Sequence, residues 1–449
     1  MKRLLFLLLF LQSTFLVWSQ SGPGDTLVLS LEEALVLAQK NAVNYQSELL
    51  NGAITDQQLQ EAFAKFYPQL TASYDLRYLA QRPTTIIPGE LTNRPGEDLA
   101  VQFGNDWNNT AGIELKQILF DAKLLDELKI IKLKRHVNEL QAETILDELQ
   151  LATIRSYYQV LLQEAQLVQL RSTAARLENT IEKTRTKVAA ELLNAIELER
   201  VKTSYQNTLA DIEKAQQTLL LYRQLLNIAI GLDPAQEIRL SEKLKSESEI
   251  KAEASQALLQ ATDVNLRPGT RLQAVRLQLL EQQISKQGRA ILPTASLYAY
   301  LGTNGLGNQF NWFDKNAIRW YGNSYMGIRL NWQLNTLLDN RFILPQLELQ
   351  QKQIQLQQQA NIEAITKEIV QAATKVRNAL TEVQIQQRHI AFAEKELNYL
   401  SIRFENDLIS PKELVDAEEN LRNYQAAYWY AQYNLLLAIW ELKQAKGLL

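Results

Sequence analysis

The 449-residue sequence predicts a mainly α protein with a small β part, built from a duplicated unit of long coiled-coil helical hairpins plus two barrel strands. Three observations predict it: heptad-spaced apolar stripes, a switch to strict alternation in four short stretches, and the recurrence of the whole order of elements. The longest stripe opens with Ile362, Ile369, Val376, Val383, Ile390, Leu397 and Phe404, with Ile365, Ala372, Ala379, Ala393 and Leu400 interleaved. After a break at Asn406–Pro411 a second register runs through Leu414, Leu421, Tyr428, Leu435 and Leu442. Apolar residues held at a 3.5-residue period specify a helix supercoiled against a neighbour. The break specifies an antiparallel hairpin, with Ser410 as N-cap and Pro411 in the first turn, where its missing N–H costs nothing.

From the beginning of the chain, Met1-Lys2-Arg3, the apolar run Leu4–Leu11 and the small-residue site before Gln20 predict a signal peptide over residues 1–19. Without Lys2 and Arg3 the basic count falls from 47 to 45 against 50 acids, a net charge near −5, which excludes a strong electrostatic case for nucleic acid. There is no Cys, hence no disulfide and no thiolate chemistry. His136 and His389 both fall within helical patterns. No nucleophile–base pair, metal cluster or cofactor loop is found, so the expectation is a non-enzyme with no catalytic, cofactor or metal residues.

Ser30 and Glu33 form a capping box for a first helix to about Asn41, and a second helix covers roughly Tyr45–Phe66. The period then changes to two. Leu70, Ala72, Tyr74, Leu76 and Tyr78 alternate with Gln69, Thr71, Ser73, Asp75 and Arg77, as in a strand apolar outside a barrel and polar within. A loop over Arg82–Asp106 precedes a second strand around Ala111–Lys116. Asp121 caps a helix from Ala122 to about Val188; it reverses near Ala190–Asn194 and returns to Gly231, a favoured C′ residue. One polar residue, Asp147, interrupts its apolar stripe.

After a polar connector, 232–251, the order restarts. Helices over Ala252–Thr262 and Thr270–Ile291 stop before Pro293, a strand carries Ala295, Leu297, Ala299 and Leu301, and a second strand carries Met326, Ile328, Leu330 and Trp332. Gly302, Gly305 and Gly307 are read as a loop between them. The last long helix starts near Leu337 and leads into the heptad hairpin. Two repeats, 26–231 and 252–449, therefore each supply two strands. Four strands cannot close a barrel, and open edges are not viable in lipid. The smallest symmetric ring with a usable lumen is a trimer of twelve strands.

At this point the sequence resembles the outer-membrane efflux protein (TolC) family of Gram-negative bacteria, over essentially the whole mature chain. The landmarks are Ser30–Leu35 with Asn41, Pro68 and Pro293 before the first strand of each repeat, Leu115–Asp121 at the strand-to-helix junction, and Asn227–Leu232 at the end of the first hairpin. The resemblance implies a homotrimer with a twelve-stranded β-barrel in outer-membrane lipid and an α-helical tunnel across the periplasm. It also implies docking to a periplasmic adaptor (membrane-fusion) protein and an inner-membrane pump, with drugs or other small molecules passing outward. Export of proteins through the same architecture stays open, as does a soluble periplasmic coiled-coil scaffold.

Where the family often has Gly at each hairpin tip, this sequence has Glu191 and Asp407. Asn406 or Asp407 can adopt a left-handed conformation; Glu191 has no such advantage. The family's two entrance carboxylates match Glu413 and Asp416, the candidate periplasmic gate and selectivity residues, although acids in a first turn also suit the helix dipole. Val188, Leu192, Leu193, Leu408 and Ile409 are apolar where a turn should be polar, and are candidate adaptor contacts. Trp107, Trp312, Trp320, Trp332 and Tyr321, with Phe310 and Phe313, gather around the second strands as a candidate membrane aromatic girdle.

Overall fold

A computed structural model describes residues 26–88, 95–309 and 317–449. The predicted signal peptide, and Phe310, Trp312 and Phe313, lie outside the described residues. The order is β1 (Leu27–Leu29), α1 (Leu31–Asn41), α2 (Val43–Ala64), β2 (Gln69–Tyr78), β3 (Thr84–Ile87), β4 (Leu99–Gln102), β5 (Trp107–Phe120), α3 (Ala122–Ala189) and α4 (Ala195–Ala229). The second half repeats it with β6 (Ile238–Leu240), α5 (Glu247–Leu259), α6 (Pro268–Arg289), β7 (Thr294–Gly307), β8 (Ile318–Asn331), α7 (Thr336–Glu405) and α8 (Pro411–Ala445). Asp121 caps α3 as expected, its carboxylate accepting from the N–H groups of Lys123 and Leu124 at 2.9 and 3.2 Å. A helix of that length extends roughly 100 Å at ~1.5 Å per residue.

The chain divides into two compact units. One comprises residues up to Ser47, Glu143–Arg267 and Glu363–Leu449. Its core is the heptad set itself: Ile154, Tyr157, Leu226, Val376, Val383, Leu435 and Leu442 are all buried. The 232–251 connector is more ordered than its composition implies. Within it, β6 pairs in parallel with β1, Leu27 opposite Ile238 and Leu29 opposite Leu240. Ser246 and Glu249 form a capping box, so α5 begins at Glu247 and not at Ala252. Two ammonium groups fasten this helix to α8. Lys443 reaches Glu253 at 2.7 Å, and buried Lys446 donates to the carbonyls of Ala257 and Gln260, closing the C-terminal end of α5.

The other unit, Glu48–Ala142 and Pro268–Ile362, holds the main sheet. Its strand order is β2-β5-β7-β8, antiparallel throughout, with β2 and β8 as edges. The registers align one apolar row after another, such as Ala72, Ile113, Leu301 and, diagonally, Met326. The stretch Gly302–Gly307, expected as a loop, is strand: β7 runs fourteen residues, to Gly307. The expected Arg82–Asp106 loop contains a short hairpin, β3 with β4. Helix packing in this unit centres on Leu140, Leu272 and Val275, and Asn138 ties α3 to α2 by donating to Thr55 Oγ1 at 2.8 Å.

Candidate functional site

The hairpin tips are built from two copies of one backbone turn. At the end of α3, Leu192 N–H donates to Lys187 O at 2.9 Å and Glu191 N–H to Val188 O at 3.0 Å. At the end of α7, Leu408 N–H donates to Arg403 O at 2.9 Å and Asp407 N–H to Phe404 O at 3.3 Å. This double closure is the Schellman motif, and it requires a left-handed residue at C′. Glu191 and Asp407 occupy that position, with φ of 58° and 60°. Glu191 thus takes the conformation for which its side chain gives it no advantage. The turn geometry survives without glycine at either tip.

The return helices start under different control. Asn194 caps α4 by accepting from Ile196 N–H at 3.1 Å. Ser410 holds the extended N-cap conformation before Pro411 but makes no side-chain cap bond. Glu413 and Asp416 are exposed, while Leu414, Val415, Ala417 and Glu418 between and beside them are buried. Asp416 borders a groove against α4 together with Lys412, Arg200, Glu199 and Arg422. Of the apolar tip residues, Leu192 and Leu408 are 62 % exposed, and Val188, Leu193 and Ile409 are half-buried. Ile196, also 62 % exposed, extends this patch and was not singled out by sequence.

Sequence reasoning also missed the side chains that join the two hairpins. Lys187, only 15 % exposed, places its ammonium on the Asp407 carboxylate at 2.5 Å, on Phe404 O, and over the Phe404 ring at 4.2 Å. Lys183 pairs with Glu405 at 2.5 Å; that hydrogen bond, then the ammonium's charge, holds the Glu405 carboxyl below its ordinary value. Deeper along the helices, Arg176 Nε donates to both oxygens of buried Glu418, at 2.9 and 3.0 Å. Arg422 reaches Asp211 at 3.1 Å. The apolar contacts under these links are Leu177, Ile181, Val201 and Val415.

In the sheet unit, the register sorts the aromatic candidates by face. Trp107 lies opposite Tyr78 and Gly307, and Trp320 opposite Gly305, on the apolar side. Tyr78 and Trp107 pack with centroids 4.9 Å apart. Trp332 follows β8 and donates Nε1–H to Ile291 O at 2.8 Å. Tyr321 pairs with Asn304, one position out of phase with Trp320, and so belongs to the polar face with Asp75 and Thr110. Adjacent strand residues point to opposite sides, so Tyr321 and Trp320 lie on different faces of the sheet.

Much of the apolar face is uncovered. Leu70 is 69 % exposed, Met326 80 % and Leu330 73 %. No helix among the described residues is long and apolar enough to cross a membrane. These features define the class of a chain that combines long helical hairpins with an open four-stranded antiparallel sheet. Neither a family model nor a curated protein sequence matches the chain. Solved structures do. CusC, described in terms of transmembrane channel formation, aligns with a TM-score of 0.70 at 18 % identity over 93 % of this chain and 92 % of its own. The outer-membrane protein VceC of Vibrio cholerae gives 0.69 at 15 % identity, over 93 % and 96 %. The open-state outer-membrane channel MtrE of Neisseria gonorrhoeae gives 0.66 at 15 % identity, over 93 % and 88 %. The chain has the fold of the outer-membrane efflux (TolC) channels.

Proposed function

We propose that three copies of this chain form an outer-membrane channel, the exit duct of a tripartite export system in a Gram-negative bacterium. One observation carries the reading: a four-stranded sheet with two edges unpaired among the described residues and most of an apolar face left exposed. Three such sheets joined edge to edge give twelve strands, which removes the edges and turns the apolar face to lipid. The spacing from Trp320 in β8 to Trp332 just after it supports a girdle at both interfaces. Twelve residues span roughly 40 Å of strand, or roughly 30 Å of height at the usual tilt, close to the thickness of a bilayer core. In this reading the hairpins form a periplasmic tunnel, and the patch of Leu192, Leu193, Leu408, Ile409 and Val188 receives a periplasmic adaptor that connects to an inner-membrane pump. The cargo is drugs or other small molecules.

Extraction and recording test the reading together. The protein should need detergent for release from membranes, migrate as a trimer and conduct ions in a lipid bilayer; release without detergent would refute it. Glu413 and Asp416, repeated three times, would ring the entrance with six carboxylates and favour cations. Glu413→Gln/Asp416→Asn should reduce cation preference and block by divalent ions, and unchanged values would remove both residues from the gate.

A further inference from the structure

On the polar face of the sheet, tyrosines recline over glycines. Gly112 and Gly302 are direct partners across β5 and β7, and Tyr300 lies two residues before Gly302 on the same face. A Cβ added at either glycine would overlap the hydroxyl and Cζ of Tyr300. The ring therefore lies along the strand, over the bare backbone of the Gly112–Gly302 pair. Tyr298 leans the other way, onto Gly327 of β8, where a Cβ would come within 2.8 Å of its hydroxyl. Tyr325 stacks on Tyr300 with centroids 5.2 Å apart and planes 20° apart.

Tyrosine normally places its hydroxyl where a partner waits. The Tyr300 hydroxyl is buried and has no hydrogen-bond partner among the described residues. Steric fit to the glycine recess and stacking on Tyr325 hold the ring, not a polar anchor. We propose that Gly112 and Gly302 form a recess that keeps Tyr300 flat against the wall, and that this recess is what keeps the ring out of the bore at this level. The inference rests on the channel reading, in which the polar face lines a water-filled lumen. An added methyl at Gly112 leaves the ring no place along the strand. It must swing away from the sheet, and on a barrel's inner face that direction is the bore.

The absence of native cysteine makes a clean reporter possible. Asn323 pairs with Gly302 on β8, so Asn323→Cys reports access at that rung. Full-length protein in lipid vesicles is treated with membrane-impermeant maleimide–polyethylene glycols of graded mass. The reporter should react up to a size cut-off, Gly112→Ala should lower that cut-off, and adding Tyr300→Ala should restore it. An unchanged cut-off in Gly112→Ala trimers, or an equal loss when Tyr300 is absent, overturns the proposal. If Gly112→Ala does not assemble, Tyr300→Ala alone decides. Removing a flat ring should leave the cut-off unchanged, whereas a clear widening means the ring stood in the bore and overturns it. A reporter that reacts with a lipid-soluble maleimide but with no impermeant one overturns the channel reading instead.

Discussion

Four helices in this chain end in the same left-handed turn, two with glycine and two without. α4 and α8 close on Gly231 and Gly447, each with φ of +70°. α3 and α7 close on Glu191 and Asp407 with nearly the same geometry. What differs is the surroundings. A Cβ at Gly231 would overlap the Asn41 side chain, and one at Gly447 would come within 3.3 Å of Arg267. Glu191 and Asp407 are exposed at turns where a side chain has room. Glycine is used where a neighbour crowds the turn, and is dispensed with where the turn is open. Asp407 pairs with the Lys187 ammonium. Glu191 makes no ion pair among the described residues, so its left-handed conformation is a cost of about 1 kcal/mol without local compensation.

The largest effect should come from crowding the crowded end. Gly231→Ala combines backbone strain with overpacking against Asn41 and should cost about 2–5 kcal/mol, read as a fall in the thermal midpoint of detergent-extracted protein. A loss below that of Gly447→Ala would break the comparison. Next, Lys187→Met leaves the Phe404 carbonyl and the Asp407 carboxylate without their cation, a loss of about 1–2 kcal/mol. Faster proteolysis between α7 and α8 would report it. Smaller and opposite in sign, Glu191→Gly should stabilise by about 0.5–1 kcal/mol. Asp407→Gly should be closer to neutral, because relief of strain and loss of the Lys187 pair offset each other. Equal gains at both tips would show that the ion pair contributes nothing.

Acidification gives the mildest test. The Glu405 carboxyl is held below its ordinary value of 4.5 by Lys183, so the link contributes stability above that value and loses it as pH falls through the depressed one. Tip stability should stay flat from pH 7 to about 5 and decline below about 4.5. In Lys183→Met the decline attributable to this link should vanish. Asp147 behaves in the reverse sense. Burial, partly offset by Arg267, pushes it up to about 6, so ionising it as pH rises through that value costs stability. Asp147→Asn should therefore raise the thermal midpoint at pH 7 and leave it little changed at pH 4.

Much of this architecture was legible because long helices repeat their reason for existing. The stripe from Ile362 to Phe404 places α7, and Ser410-Pro411 places the first turn of α8, because period and cap chemistry are local. Short or glycine-bearing strands carry no such signal. β1 and β6 have three residues each, too few for a period, and Gly302, Gly305 and Gly307 read as breakers until their partners are known. The tip links were invisible for a different reason. Lys187 and Phe404 stand 217 positions apart, and no spacing rule connects them. The face that Tyr321 occupies, opposite to that of Trp320, is likewise fixed by strand pairing and not by aromatic clustering.

The edges β2 and β8, unpaired among the described residues, have a kinetic consequence. A single sheet in lipid would leave two rows of backbone donors and acceptors unsatisfied, at several kcal/mol for each group. If the chain works as the proposed trimer, insertion of one chain at a time is closed off, and membrane entry is an event of the assembled ring. In the proposed trimer, the yield of inserted channel should then scale steeply with chain concentration at low expression, closer to its third power than to its first. Scarcity of the chain, more than any defect in its folding, would be what keeps the channel out of the membrane.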